Sequence, residues 1–311
     1  MKTLNSILEA NGISNDAQQI VAIKNQLFDV VTLPKASAHE GFLPPNGINI
    51  YKSTGGACLG EAGDSYGVMQ PIDFFETINQ ALKNIGFDFD KNIIEYLPTK
   101  NDQVISFKIP LTEIKFKNAA KRGDITEVYA LFTTSFDGSQ ATSLNLFSKR
   151  VLCENMVLFT TQKDTSFKFR HTPKMNLRAL TYVDAIMKSS KGIATYNDLF
   201  KELDKIEIKT ERQINMAMES ILGYSVSDFQ ALHVKRKAVV EGIRNGWALE
   251  RERTGNTAFG LYNAFTYFAN HDESGNTKSF EHVTFGTGAK LNKQAEKAFS
   301  NPNKFRELIT I

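Results

Sequence analysis

At Leu177 the hydrophobic period of this 311-residue chain changes from that of a strand to that of a helix. Successive side chains of a strand point to opposite faces, whereas a helix returns to the same face every three or four residues, so the switch divides the chain. Before it, Ile93 to Leu97, Gln103 to Phe116, Ile125 to Thr134, Ala141 to Phe159 and Phe167 to Arg170 are rich in β-branched and aromatic residues and predict strands. After it, Leu177 to Met187, Tyr196 to Ile206, Glu211 to Leu222, Asp228 to Glu252 and Thr257 to His271 predict helices, followed by a polar tail rich in Gly, Asn and Lys.

The first third adds a short helix from Thr3 to Ala10, stopped by Asn11-Gly12, and a mixed segment to about Asn46. Ile48 to Val68 then reads as two strands around Gly55-Gly56 and Gly63-Asp64, and Pro71 opens a helix with Ile72, Phe75, Ile78, Leu82 and Ile85 at helical spacing. The expected class is α+β. An antiparallel, sheet-rich N-terminal part (β-hairpin, helix, further strands) over residues 1–176 precedes a helical C-terminal part over 177–311, the two packed as one unit.

Composition excludes several alternatives. With 41% hydrophobic and 23% charged residues the chain matches an ordinary globular protein and no disordered class. The start, Met1-Lys2-Thr3-Leu4-Asn5-Ser6, lacks a signal-like apolar core, and no run of about 18 apolar residues suits a membrane span. Two cysteines, Cys58 and Cys153, cannot supply a two-plus-two zinc site; both are expected to be small buried hydrophobes, with a disulfide between them as the alternative. No cofactor motif is found: Gly286-Thr287-Gly288-Ala289-Lys290 lacks the spacing of a P-loop, and Gly55 to Gly63 lacks the context of a dinucleotide fingerprint.

Charge is distributed unevenly. Residues 100–178 carry thirteen Lys/Arg against seven Asp/Glu, whereas residues 1–99 carry six against eleven. A basic middle favours a polyanion partner. Within it, Ile114-Lys115-Phe116-Lys117 and Phe167-Lys168-Phe169-Arg170 alternate apolar and cationic residues, which puts the cations on one face of each strand. If both strands share a sheet, Lys115, Lys117, Lys168 and Arg170 form a basic surface, extended by Lys149, Lys174 and Arg178. Exposed strand lysines also discourage edge-to-edge aggregation, so the pattern has a purely protective reading as well.

The same region carries a set of short motifs. Asp137-Gly138 lies between two apolar runs and predicts a tight two-residue hairpin turn. Ser135-Phe136-Asp137-Gly138, then Arg150-Val151-Leu152-Cys153-Glu154-Asn155, then Arg170-His171-Thr172, together with Leu59-Gly60, Tyr66-Gly67-Val68-Met69-Gln70 and the aromatic stretch Thr257 to His271, resemble a family of phage- and plasmid-encoded proteins of unknown function. The resemblance spans most of the chain. It implies a mobile genetic element and transfers no catalytic residue, while the start without a signal-like core and the lack of an apolar span predict a place in the cytoplasm, here that of a bacterial host; Asp137, Gly138, Arg150, Cys153, Asn155 and His171 enter as structural motif residues.

Catalytic constellations are weak. The five histidines form no metal-binding helix pair, and Asn155 and His171 read best as hydrogen-bonding groups at strand ends. Asp88-Phe89-Asp90 could hold a divalent cation, and Cys153 could act as a nucleophile with His171. The expected function is therefore non-catalytic binding of nucleic acid, with single-stranded DNA the preferred partner, in replication or recombination. The alternatives are a metal-dependent nuclease and an interaction protein that counters a host defence factor. No membrane partner is expected, and a homo-oligomer is compatible with the sequence.

Overall fold

The structure, a computed structural model, describes residues 15–35, 47–87, 92–115, 125–151, 154–159, 166–172 and 179–310. The elements run α1 (Asn15–Lys24), β1 (Val30–Pro34), β2 (Ile48–Lys52), β3 (Cys58–Ala62), α2 (Pro71–Asn84), β4 (Glu95–Thr99), β5 (Val104–Lys115), β6 (Ile125–Ser135), β7 (Thr142–Arg150), β8 (Met156–Phe159) and β9 (Ser166–Phe169). The helical half follows as α3 (Ala179–Asp204), α4 (Glu211–Leu222), a single turn at Phe229–Ala231, α5 (Val234–Thr254), α6 (Ala258–Asn270), α7 (Phe280–Thr284), α8 (Thr287–Phe299) and α9 (Pro302–Thr310). The fold is α+β, with antiparallel sheets ahead of the helices, as the change of period requires. Among the described residues no helix is long and apolar enough to cross a membrane.

Contacts divide the chain into two compact units made of interleaved segments. The first takes Met1–Pro110, Ala130–Leu144 and Phe167–Met187, and the second Leu111–Tyr129, Asn145–Ser166 and Lys188–Ile311. One sheet has the order β1-β2-β3; the other runs β4-β5-β6-β7-β8, with β9 paired to β7.

In the first unit, β1 pairs antiparallel with β2, and β2 with β3 through a bulge at Ile50/Tyr51. The side chain of Gln70, at the N-cap of α2, substitutes for a neighbouring strand: its Oε1 accepts from Val30 N at 2.9 Å and its Nε2 donates to Val30 O at 2.7 Å. Pro71 starts α2, where its missing N–H costs nothing, and Phe74, Phe75, Ile78, Ala81 and Leu82 form the buried face. That face meets Phe107 of β5, whose ring centroid lies 5.6 Å from Phe74, 5.1 Å from Phe75 and 5.5 Å from Tyr96. The mixed segment of the sequence reading thus supplies α1 and β1; the helix expected at Thr3 to Ala10 lies outside the described residues.

In the second unit, α4 begins with a full capping box, Thr210 Oγ1 accepting from Gln213 N while Gln213 Oε1 accepts from Thr210 N, and ends on left-handed Gly223. Helices α5 and α6 approach closely because Gly246 leaves no side chain: a Cβ there would stand 2.8 Å from Ala264 O. Two expectations are corrected. The break predicted between Leu177 to Met187 and Tyr196 to Ile206 is absent, since α3 runs unbroken for 26 residues and carries Gly192 in a buried position. The polar tail is helical: α7, α8 and α9 fold there, and the inner side of α8 is Gly288, Asn292, Ala295, Glu296 and Phe299. Two of those five buried residues are polar, one is Ala and one Gly, so the segment is polar overall although its few apolar residues keep the period of a helix.

Candidate functional site

Strand β9 keeps the alternation its sequence dictates. Phe169 is buried, while Lys168 and Arg170 on either side are exposed. Neither forms an ion pair among the described residues, unlike Lys24, Lys35, Lys52, Lys100 and Lys108, each of which meets a carboxylate. Phe167 is only half-buried, so just one of the two expected inward rings is fully enclosed. Lys149 sits in a different setting: its ammonium lies 3.3 Å from Glu154 Oε1, and Glu154, held in left-handed geometry at φ 55° in the β7–β8 turn, also accepts from Thr277 Oγ1 at 2.7 Å. Those hydrogen bonds and the lysine charge hold the Glu154 carboxyl below its usual range. The Lys149 charge is thereby offset locally, whereas Lys168 and Arg170 meet no carboxylate among the described residues. Lys117, Lys174 and Arg178 lie outside the described residues, as does the side chain of Lys115.

The motif residues gather in two places. In the first unit, Asp137-Gly138 forms a six-residue connection over 136–141 instead of the two-residue turn expected. Only Gly138 has positive φ, at 70°, so the paired left-handed residues of that turn are not present. Asp137 instead makes an Asx turn, its Oδ1 accepting from Ser139 N at 2.9 Å, and Lys100 stands 3.5 Å from its Oδ2. Although burial acts to raise it, the Asp137 pKa is lowered on balance by the Ser139 bonds and the Lys100 charge. Ser135 Oγ closes the loop by donating to Gln140 O and accepting from Gln140 N.

The upstream glycine motif supports this loop from below. A Cβ on Gly60 would stand 2.4 Å from Phe136 O and 2.5 Å from Asp137 Cα, and both obstacles are backbone. Gly60→Ala is therefore expected to lower the stability of the first unit by about 1–3 kcal/mol through overpacking, measured by urea unfolding, while Gly63→Ala, where a Cβ meets nothing within 4 Å, stays near wild type.

Tyr66 completes the arrangement: its hydroxyl donates to Ser135 O at 2.8 Å, and its ring stacks on His171 with centroids 4.6 Å apart. His171 Nε2 lies 3.3 Å from Thr142 Oγ1, which in turn bonds Thr134 Oγ1 at 2.8 Å, and His171 O accepts from Gly67 N. Burial pushes the Tyr66 hydroxyl up to about 12 and the His171 imidazole below its usual value, so both are neutral near pH 7. The order of motifs along the chain thus becomes one hydrogen-bonded network. Cys58 departs from expectation: it is an exposed free cysteine, because the alternation of β3 turns Leu59 inward and its neighbours outward. Cys153 lies outside the described residues.

The second gathering is buried in the second unit. Arg150 Nη1 meets Glu250 Oε2 at 2.6 Å, with the two side chains 4% and 0% exposed, and Glu250 Oε1 accepts from Arg253 at 3.0 Å. The guanidinium also lies 5.8 Å from the centre of the Phe259 ring. Asn155 O accepts from Arg150 N, and Asn155 Nδ2 donates to Thr266 Oγ1 at 3.0 Å and Asn263 O at 3.3 Å. Asn270 Oδ1 accepts from Met156 N, and Asn292 Nδ2 donates to Met156 O, so side chains from helices satisfy the entrance to β8. Glu250, Asn263, Thr266, Asn270 and Asn292 escaped the sequence reading. A signal existed in α6, where Asn263, Thr266 and Asn270 recur at i, i+3, i+7 within an otherwise aromatic stripe.

A model of the family described as Domain of unknown function (DUF932) matches residues 58–298, well over half of the chain. The chain belongs to the DUF932 family. The match takes in every motif residue named above and excludes α1, β1, β2 and α9. No curated protein and no solved structure matches this DUF932 chain.

No set of three His, Cys, Asp or Glu side chains suited to a metal ion is found among the described residues, and Asp88 and Asp90 lie outside them. His271 caps α6, stacked on Tyr267, and Asp272 accepts the Ser274 and Asn276 amides in a polar turn.

Proposed function

We propose that this DUF932 protein binds nucleic acid without catalysis, with single-stranded DNA as its preferred partner, in the replication or recombination of a phage or plasmid. The observation that carries the reading is the pair Lys168 and Arg170, exposed on both sides of buried Phe169 and without an acidic partner among the described residues. Fixed cations spaced along a strand suit a phosphate backbone, and such contacts release counterions whatever the base sequence. The excess of Lys and Arg over residues 100–178 supports the same partner.

Binding of labelled oligo(dT) by fluorescence anisotropy at two or more salt concentrations tests this. Wild type is expected to bind with a marked salt dependence. The Lys168→Glu/Arg170→Glu variant should bind at least about tenfold more weakly, with a salt slope smaller by roughly 1.4, the share of two phosphate contacts on a single strand. Because both side chains are exposed, its stability should stay within about 0.5 kcal/mol of wild type. Absence of salt-sensitive binding by wild type to single- or double-stranded DNA defeats the proposal. Cutting of the same DNA in Mg²⁺ or Mn²⁺ that EDTA abolishes points to a nuclease instead.

A further inference from the structure

A small cavity of about 20 Å³ lies within the second unit, lined among others by Thr126, Ser148, Arg150, Asn155, Phe259 and Tyr262. All six residues are buried. Seven of the ten residues around it carry a polar or charged group, so although much of the lining surface is apolar, hydrogen-bonding groups reach the space from several sides. Two of the lining residues each carry a buried polar atom, Asn155 Oδ1 and the Tyr262 hydroxyl, that makes no hydrogen bond to another protein atom among the described residues. A buried polar atom left so has lost its hydration without replacement, so each calls for a partner.

The orientation of the Asn155 amide follows from its surroundings. Asn263 O can only accept, so the amide nitrogen must face it, and rotating the group would set two carbonyl oxygens against each other. Asn155 Oδ1 is thus fixed as an acceptor lacking a donor. Tyr262 stays protonated, since burial and the nearby Glu296 charge raise its pKa well above the ordinary value, and its O–H is a donor lacking an acceptor. One molecule that accepts from Tyr262 and donates to Asn155 satisfies both. The volume admits something the size of water, which needs about 10–15 Å³ on this measure, and is too small for a nucleobase or sugar.

We infer that this cavity binds one ordered water, which bridges the Tyr262 hydroxyl to Asn155 Oδ1 beside the Arg150–Glu250 pair. The Arg-Val-x-Cys-x-Asn block then has a structural reason of its own: Arg150 and Asn155 build an internal hydration site, and the water is as much a part of the core as the side chains around it. This inference stands apart from the nucleic-acid reading.

A high-resolution crystal structure of the full chain tests it directly. One water peak within hydrogen-bond distance of both atoms is expected; a dry cavity, or a different molecule carried through purification, overturns the inference. In solution, oxygen-17 relaxation dispersion counts long-lived waters, and Asn155→Leu, which removes the acceptor and fills the space, should lose one relative to wild type. An unchanged count is contrary evidence. If Asn155→Leu does not fold, Tyr262→Phe removes only the hydroxyl and is expected to abolish or shorten the same long-lived signal, and an unaltered signal again overturns the assignment.

Discussion

Glu250→Ala is expected to destabilise the protein by about 3–5 kcal/mol, the usual consequence of removing one partner of a buried ion pair. The carboxylate is fully enclosed and lies 2.6 Å from Arg150, itself 4% exposed, so truncation leaves a guanidinium without its counter-charge and cut off from bulk solvent. Coulomb attraction lost is the smaller part of the effect; the unsolvated charge left behind is the larger. For a unit of this size the shift should be roughly 6–20 °C in Tm. The double variant Arg150→Met/Glu250→Leu separates the two contributions. Because it removes both charges and keeps apolar volume near the Phe259 ring, it should recover most of the loss and come within about 1–2 kcal/mol of wild type. Urea unfolding of the two variants checks this, and a Glu250→Ala protein within about 1 kcal/mol of wild type would mean the pair is not formed. Arg253, which also meets Glu250 but is 29% exposed, should matter much less, because water can solvate it when the carboxylate is gone.

Phe107→Ala is expected to have an effect of similar size, about 3–5 kcal/mol, for an apolar reason. Phe107 is fully buried and joins three rings, Phe74 and Phe75 of α2 and Tyr96 of β4. Truncation removes the transfer free energy of the ring and leaves a cavity whose walls, a helix face and a sheet, can close only in part. Phe107→Leu retains much of the volume and should lose about 1–2 kcal/mol. The measurement is the denaturant midpoint at constant slope; equal losses for Ala and Leu would show that ring packing is not what holds α2 to this sheet.

The nucleic-acid reading depends on far weaker forces. Lys168 and Arg170 contribute little to folding, which is why charge reversal there can test binding without disturbing the scaffold. Lys149 shows why a count of cations along a sequence overstates the available charge. Glu154 and Thr277, the latter more than a hundred residues away, hold a local network around that side chain that no spacing rule reveals.

Much of the fold was legible because its signals are short-range. Pro71 marks the start of α2, Thr210 and Gln213 the start of α4 and Gly223 its end, and the β-branched runs locate β4, β5, β6 and β9 within a few residues, whereas the single run Ala141 to Phe159 divides into β7 and β8. Where the reading failed, local signals were missing or misleading. Helix α8 buries Asn292 and Glu296 on its inner face and has few large apolar residues, so its segment reads as a polar tail, and the gap left between Met187 and Tyr196 is spanned by α3 with Gly192 buried in it. Asp137-Gly138 has the composition of a two-residue turn, but Ser135 and Gln140 bond each other and Gly60 receives the loop from another strand, so a longer connection forms.

By itself the sequence determined the α+β class, the alternation that exposes Lys168 and Arg170, and the order of the DUF932 motifs. Only tertiary structure decided what those motifs do: His171 stacks on Tyr66, Arg150 pairs with Glu250 a hundred residues on, and Asn155 reaches Asn263 and Thr266. The reason is physical. Periodicity arises from backbone geometry that repeats within a few residues, whereas a buried charge or amide is tolerable only beside a partner, and that partner is chosen by proximity in space and not by distance along the chain.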